Sequence, residues 1–461
     1  MGRHYVLNLM FKLKIFDLAK DGNPVTFDQD RPRRYLNIPK NRRRLNILLI
    51  YMIGFSEGLL YLSNLAIYYM FKDDFGLSPA QLSLVYAVPA LPYMIRPFMA
   101  YLTDAVPIFG TRRRHYLLLS SLVQSLSFFM LAFMPISLVF STFALFLITF
   151  TLAFCMTIAE ALVVENITEG TDNLSGFVVI KAFSSLFVCY FSGSMLEKYP
   201  KQRLFLITAF FPLLITFFAY FMKEEREVIV YESHPVTDLI KFLFEPVIFH
   251  PCLYLFLVVV TPAYEDAFLY YTIDVLGYSP SFMGVLRLMY GLAIIIGIGI
   301  YRIFFKNSSI KKMLFWSTLI ANIIYYIPCL ITSGISRKWG IPDKPLILCS
   351  GFLMEAVFEI QVMPFLTYTT RVTPKGLEAS VFASIMTIKS VGIVLCKVST
   401  SLFTYIFGID NHKYEHLTAF ILFCATCAML IMVYLGKLPS KEEMELFVSR
   451  HKMTNDPSEK A

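Results

Sequence analysis

The sequence predicts an all-α polytopic membrane protein, with twelve transmembrane helices in two pseudo-symmetric six-helix halves. Three observations carry this. Of 461 residues, 57% are hydrophobic and only 16% charged, with a mean hydropathy of +0.61; soluble domains carry about 25% charged residues. Twelve apolar runs recur, each near the roughly 20 residues that a bilayer-spanning helix requires. Basic residues are distributed unevenly between alternate loops. With 44 Phe and 27 Tyr, the chain holds more apolar mass than a water-soluble fold of this length can hide. The composition therefore excludes a soluble enzyme and a nucleic-acid-binding module. It also excludes disorder, which needs low hydrophobicity.

A basic tail comes first. Residues 1–45 hold eleven Lys and Arg against Asp17, Asp21, Asp28 and Asp30, the pattern of a cytoplasmic end facing anionic lipid. No apolar h-region precedes the first span and no small-residue cleavage site follows it, so no removable signal peptide is expected. The N-terminal half, 46–222, then holds spans at 46–71, 82–103, 116–134, 138–164, 174–196 and 203–222. A polar linker, 223–249, separates it from the C-terminal half, 250–436, with spans at 250–273, 281–303, 314–333, 346–370, 378–403 and 417–436. A cytoplasmic tail, 437–461, closes the chain. Lipid-facing backbone must satisfy its own hydrogen bonds, so each span is read as a helix. With the N-terminus inside, 28 Lys and Arg fall on the cytoplasmic side and 8 outside, which places both termini in the cytoplasm. The sequons Asn166-Ile-Thr168 and Asn307-Ser-Ser309 then face inward.

The halves repeat one another. Tyr68-Tyr69 followed by Gly76-x-Ser78-Pro79 returns as Tyr270-Tyr271 followed by Gly277-x-Ser279-Pro280. Glu57 and Glu265 occupy comparable points of each half's first helix, and Lys181 and Lys389 of each fifth. Weak internal repeats of this kind mark transporters built from two related halves.

Charges within the spans point to function. Glu57, Arg96, Glu160, Glu165, Lys181, Glu265, Asp266, Arg287, Glu355, Glu359, Lys389 and Lys397 all lie in or at the ends of apolar runs. Facing lipid, they would cost on the order of 30 kcal/mol together, so most must pair or line water. Glu165 and Lys397, nearest span ends, have the plainer option of snorkelling to the interface. Helical spacing aligns Glu57, Tyr61, Asn64 and Tyr68 in the first span, and Thr261, Glu265, Phe268 and Thr272 in the seventh. Glu355 and Glu359 share a face of the tenth. Lys181, Ser185 and Ser192 align in the fifth, as do Lys389, Gly392 and Ser399 in the eleventh. A lone stripe of this kind is ordinary helix–helix hydrogen bonding; five, drawn from both halves, imply a shared hydrophilic cavity.

The residue types narrow the chemistry. No histidine lies mid-span, so the glutamates are the proton-relay candidates: Glu57, Glu160, Glu265, Glu355 and Glu359, with Asp266. Lys181, Arg287 and Lys389 suit the carboxylates of an anionic solute. No G-x-x-x-x-G-K-[ST], H-E-x-x-H or G-x-S-x-G occurs, so neither an ATP motor nor an intramembrane hydrolase is expected. The eight cysteines read as free buried thiols, and no cofactor or metal is expected.

Between the second and third spans, Arg96-Pro97 leads to Asp104-x-x-Pro107-x-x-Gly110-x-Arg112-Arg113-Arg114 and His115-Tyr116. This resembles the cytoplasmic loop motif of the major facilitator superfamily, in the variant of the folate–biopterin transporter family. Ala159-Glu160-Ala161-Leu162-Val163-Val164-Glu165 resembles that family's acidic stretch in the fourth helix. The resemblance covers roughly 46–436. It implies a twelve-helix facilitator that carries folate or pterin-like anions, coupled to protons, by alternating access.

On that basis Arg96, Asp104, Gly110 and Arg112 to Arg114 form a gate, Asp104 pairing with the loop arginines or capping a neighbouring helix. Glu57 and Glu160 meet the substrate ring or the coupled proton, with Tyr61 and Asn64 beside them. The chain departs from the family pattern at Glu160, usually Asp, at His115, usually Pro, and at Ala100, usually Gly. It lacks an Arg after Glu165 and a Gln in Ser175–Lys181. Two rival readings are a facilitator for another small organic anion or drug, and a receptor or scaffold without flux. The partners expected are the small-molecule anion, protons and the bilayer, with no nucleic acid. The membrane expected is the plasma membrane, or alternatively that of a plastid.

Overall fold

The computed structural model describes residues 40–111, 113–133, 137–165, 173–222, 243–305, 310–372, 378–440, 442–443 and 446–447. Among these every regular element is helical. Twelve long helical segments run in order: α1 (Leu48–Asp74), α2 (Pro79–Thr103), α3 (Arg114–Phe133), α4 (Leu138–Glu165), α5 (Asn173–Lys198) and α6 (Lys201–Phe221). The second half comprises α7 (Pro246–Asp274), α8 (Pro280–Phe305), α9 (Lys311–Thr332), α10 (Asp343–Val372), α11 (Glu378–Ile406) and α12 (Leu417–Lys437). Among the described residues, eleven segments are both long and apolar enough to cross a bilayer. The twelfth, α5, is a helix of 26 residues. Its buried Ser192 donates to the Leu62 carbonyl of α1 at 2.8 Å.

In the N-terminal half α1 packs on α5 and α6, and α3 between α4 and α6; in the C-terminal half α10 packs against α8 and α9, and α7 against α11. The halves meet along α5 with α8 and along α2 with α11. At the first seam the backbones approach so closely that a Cβ on Gly193 would lie 2.3 Å from the Pro280 carbonyl. Small residues allow such approach without any side chain between. The alternation of twelve long segments sets the start of α1 and the end of α12 at one end of the bundle, here the terminal end. The turns at Gly76 and Gly277 lie at the opposite, distal end.

Several segments are less regular than periodicity predicts, α1, α2 and α7 among them. A 3₁₀ turn at Leu60–Ser63 and a π-turn at Met70–Asp74 interrupt α1. Four short pieces make up α2, because Pro89, Pro92 and Pro97 each remove a backbone donor. In α7 the predicted continuous helix is instead two, Pro246–Val260 and Glu265–Asp274, with 261–264 unwound around Pro262. The loosened backbone finds other partners: the Ala263 amide donates to Thr400 Oγ1 at 2.9 Å, and Cys396 Sγ donates to the Thr261 carbonyl at 3.1 Å. The expected Thr261–Glu265–Phe268–Thr272 stripe is therefore not one helical face.

The internal repeat extends to conformation. Gly76 and Gly277 adopt left-handed φ angles of 61° and 64°, which favour glycine. Ser78 and Ser279 then cap α2 and α8, each accepting from an amide three residues on, with Pro79 and Pro280 at the first helical position.

Candidate substrate cavity and gates

Glu57 is the most deeply enclosed of the predicted site residues whose side chains are described. Its residue exposure is 2%, and Lys181 Nζ of α5 stands 3.5 Å from its Oε2. Gly58 makes this approach possible: a Cβ there would lie 1.8 Å from Ser184 Oγ and 2.5 Å from the Lys181 carbonyl. Lys181 also reaches Met156 Sδ of α4 at 3.3 Å. Tyr61 is 42% exposed and Asn64 is exposed midway along α1, facing open space where Glu57 does not. Tyr68 is buried instead, edge-on to the Tyr270 ring at 5.8 Å. The α1 stripe thus splits, with Tyr61 and Asn64 open and Glu57 and Tyr68 closed.

In the C-terminal half the charges assemble around the break in α7. Asp266 Oδ2 accepts from Lys397 Nζ of α11 at 2.6 Å and from Ser83 Oγ of α2 at 2.7 Å, so this triad bridges the two halves. Lys397 lies deep inside α11, which runs on to Ile406, and pairs there instead of snorkelling to the interface. Glu265 is exposed within the bundle and accepts from Tyr325 OH at 3.5 Å. Glu355 lies within Coulombic range of Glu265 and Glu359, and Glu359 within that of Lys389. Lys389 Nζ sits 6.0 Å from the Phe358 ring centroid, while Arg287 lies within range of Tyr69, Tyr86 and Tyr290. Neither cation makes an ion pair or hydrogen bond among the described residues. The two halves therefore differ: Lys181 meets Glu57, whereas Lys389 does not meet Glu265. The repeat explains why, since Glu57 precedes Tyr68 by eleven residues and Glu265 precedes Tyr270 by only five.

At the terminal end a tight turn closes with a bridge between Ile108 and Thr111, with Gly110 at φ 76°. Arg113 is buried and donates to Thr103 Oγ1 at 2.7 Å; Tyr116 OH donates to the Val106 carbonyl at 2.8 Å. Arg114 donates to the Tyr220 carbonyl at 2.8 Å, tying α3 to α6. Arg96 Nε reaches Thr157 Oγ1 of α4 at 3.3 Å. Arg112, and the side chains of Asp104, Glu160 and Glu165, lie outside the described residues. So do both sequons and residues 223–242 of the predicted linker.

Distances in space found what periodicity missed. Lys397 and Ser83 as partners of Asp266 are invisible to a pattern read along single helices. Lys72, at a span end, pairs with Asp274 across the halves at 2.5 Å; the repeat could have found this pair, since both follow the first Tyr of their Tyr-Tyr motif by four residues. All eight cysteines are free, but only Cys155, Cys189, Cys252 and Cys424 are buried; Cys329, Cys396 and Cys427 are half-buried and Cys349 is exposed. Among the described residues no group of three His, Cys, Asp or Glu is placed to hold a metal.

Two six-helix halves with charged side chains enclosed between them define a membrane carrier fold of the major facilitator type. Solved structures agree. The chain superposes on the nucleoside transporter NupG with a TM-score of 0.67 at 10% identity, covering 86% of this chain and 100% of that one. On a D-xylose-proton symporter the TM-score is 0.66 at 11% identity, covering 87% and 98%. The chain belongs to the BT1 family, whose model matches residues 57–456, and the resemblance to folate–biopterin transporters holds along most of its length. It is 42% identical to "Putative folate transporter 2" of Plasmodium berghei (strain Anka) and 41% identical to "Folate transporter 2" of Plasmodium falciparum (isolate 3D7), in each case over 86% of this chain and 89% of the relative. Identity to "Folate-biopterin transporter" of Synechocystis sp. is 30%, over 86% of this chain and 82% of that protein.

Proposed function

We propose that this chain carries folate or pterin-like organic anions across a membrane by alternating access, with proton movement coupled to the flux. The observation that carries the substrate class is a pair of cations within the bundle, Arg287 and Lys389, that make no ion pair or hydrogen bond among the described residues. Their donors are available to the carboxylates of a bound dianion. Relatives at 41–42% identity are named as folate transporters, which supports the choice of folate over anions in general.

In this reading Arg287, Lys389 and Lys181 meet substrate carboxylates, while Glu57, Tyr61, Asn64 and Glu160 address the ring. Glu265, Asp266, Glu355 and Glu359, with Glu57 and Glu160, are the proton-carrying candidates. Arg96, Asp104, Gly110 and Arg112 to Arg114 gate the terminal end. Both termini lie in the cytoplasm, the plasma membrane being the host, and the distal end faces outward; the excess of Lys and Arg on the side of the termini supports this. The halves divide at 223–249.

The test is uptake of radiolabelled folic acid by a folate-requiring host expressing this chain, with and without an imposed proton gradient. Accumulation that tracks the gradient supports the proposal; binding without accumulation favours a receptor. The departures from the family pattern at Glu160 and Ser175–Lys181 favour a second reading, another small organic anion. Competition by pterins, p-aminobenzoate and unrelated anions separates the two.

A further inference from the structure

Lys72 and Asp274 hold the same place in the internal repeat, each four residues after the first Tyr of its Tyr-Tyr motif. In space they face one another, Nζ to Oδ1 at 2.5 Å, with side-chain exposures of 10% and 7%. Tyr68 and Tyr270, also repeat-equivalent, face one another at 5.8 Å. Equivalent residues meet only on a pseudo-two-fold axis, so the axis leaves the bundle between these pairs at the distal end. A position on such an axis meets its own counterpart: two lysines or two aspartates would repel, and only opposite charges close it.

The local backbone fits this role. From Lys72 to Gly76 there are four steps and from Asp274 to Gly277 three, so the N-terminal half carries one extra residue. The π-turn at Met70–Asp74 absorbs it, as π-bulges absorb single insertions. Around the pair, Tyr414 OH donates to Asp274 Oδ2 at 2.6 Å, and His412 Nδ1 lies 3.9 Å from that oxygen. Lys72 Nζ lies 5.2 Å from the Tyr270 ring centroid, and Tyr270 OH donates to the Leu77 carbonyl at 2.7 Å. Asn411 Nδ2 donates to the Gly76 carbonyl at 2.9 Å. Burial and the bond to Asp274 push the Tyr414 phenol above its ordinary range, so it remains a donor.

We propose that Lys72 and Asp274 are the clasp of the distal gate, an axial ion pair that must separate each time the cavity opens to that side. This rests on the transport reading above. A charged clasp suits repeated opening because desolvation and attraction nearly cancel in such a pair, so closed and open states lie close in free energy. A second partner is at hand: Asp73 Oδ1 stands 3.5 Å from Lys72 Nζ and its side chain is 44% exposed. On separation Lys72 passes to Asp73, and Asp274 keeps the Tyr414 hydroxyl.

The experiment reads accessibility and uptake together. Labelling is read on Asn64→Cys with a membrane-impermeant maleimide from the distal side, and uptake on chains that keep Asn64, in the parent and in K72D, D274K and the charge swap K72D/D274K; native cysteines provide the labelling background. Each single reversal is expected to raise distal labelling at least threefold and to lower the initial folate uptake rate by about tenfold at matched abundance. The swap is expected to return both to within about twofold of the parent. Parental labelling in both single variants overturns the proposal, as does a folded swap that labels like the singles. Should the swap not fold, K72C/D274C serves: an oxidative cross-link that stops uptake, with recovery on reduction, supports the clasp, and a cross-link that leaves uptake intact overturns it. Labelling does not depend on the substrate, so labelling shifts without folate uptake in any variant sink the substrate reading alone.

Discussion

Replacing Asp266 by Asn tests the bridge between the halves most directly. Lys397 Nζ lies 2.6 Å from Asp266 Oδ2, with side-chain exposures of 26% and 14%. At an effective dielectric of about 20, a pair at that distance attracts by roughly 6 kcal/mol. Desolvation offsets most of this, yet removing one partner strands the other and typically costs about 3–5 kcal/mol. Asn keeps an oxygen for Ser83 Oγ, now 2.7 Å from the carboxylate, so the loss isolates the charge. Asp266→Asn and Lys397→Met should each lower thermal stability of the detergent-solubilised protein clearly. The double variant, having no stranded ion, should recover most of the loss, with a coupling energy of about 2 kcal/mol or more in the cycle. Uptake at matched abundance then separates two roles. If the pair only fastens α7 to α11, the double variant transports; if Asp266 also carries a proton, the double variant is stable but its uptake no longer tracks the gradient. Additive effects of the two single substitutions on stability would refute this coupling, because they would mean the two groups do not depend on each other.

The same geometry sets other expectations. Lys389→Met should reduce folate uptake about tenfold while leaving membrane abundance within about twofold, since no described residue loses an ion-pair partner; equal loss of both would make Lys389 structural. Glu57→Gln should flatten the dependence of uptake on external pH, and an unchanged profile would remove Glu57 from the proton role. Gly193→Ala places a methyl group 2.3 Å from the Pro280 carbonyl, beyond what a side-chain rotation can relieve, and should cost about 1–3 kcal/mol or more. Gly284→Ala, with its nearest neighbour at 3.1 Å, should be milder; the order of the two melting temperatures checks the seam.

Much of the architecture was legible along the chain because burial in lipid writes itself into composition. A helix needs a long apolar run to cross a bilayer, and each helix satisfies its own backbone, so the spans at 138–164 and 203–222 read almost as they fold into α4 and α6. Local breaks were less legible. Pro262 alone does not say whether a helix bends or unwinds, and the loss of 261–264 from α7 depends on Thr400 and Cys396 of α11 supplying partners. The stripe in α1 failed because enclosure depends on neighbours that spacing does not carry: Glu57 meets Lys181 of α5 and Tyr68 the Tyr270 ring of α7, while Tyr61 and Asn64 stay open.

By itself the sequence determined that this is a two-half membrane carrier, that its enclosed charges are too many to face lipid, and that one motif recurs in each half. Which charges meet was decided only in three dimensions. Partners such as Asp266 with Lys397 and Ser83, or Lys72 with Asp274, lie on different helices, and their meeting depends on tilt, rotation and the close approach of Gly58 or Gly193. None of these is encoded in the spacing of any single helix. Pair energies vary steeply over a few ångströms, so a set of charges that looks alike along the chain divides, once folded, into bonded pairs and into cations such as Arg287 and Lys389 that bond no described residue.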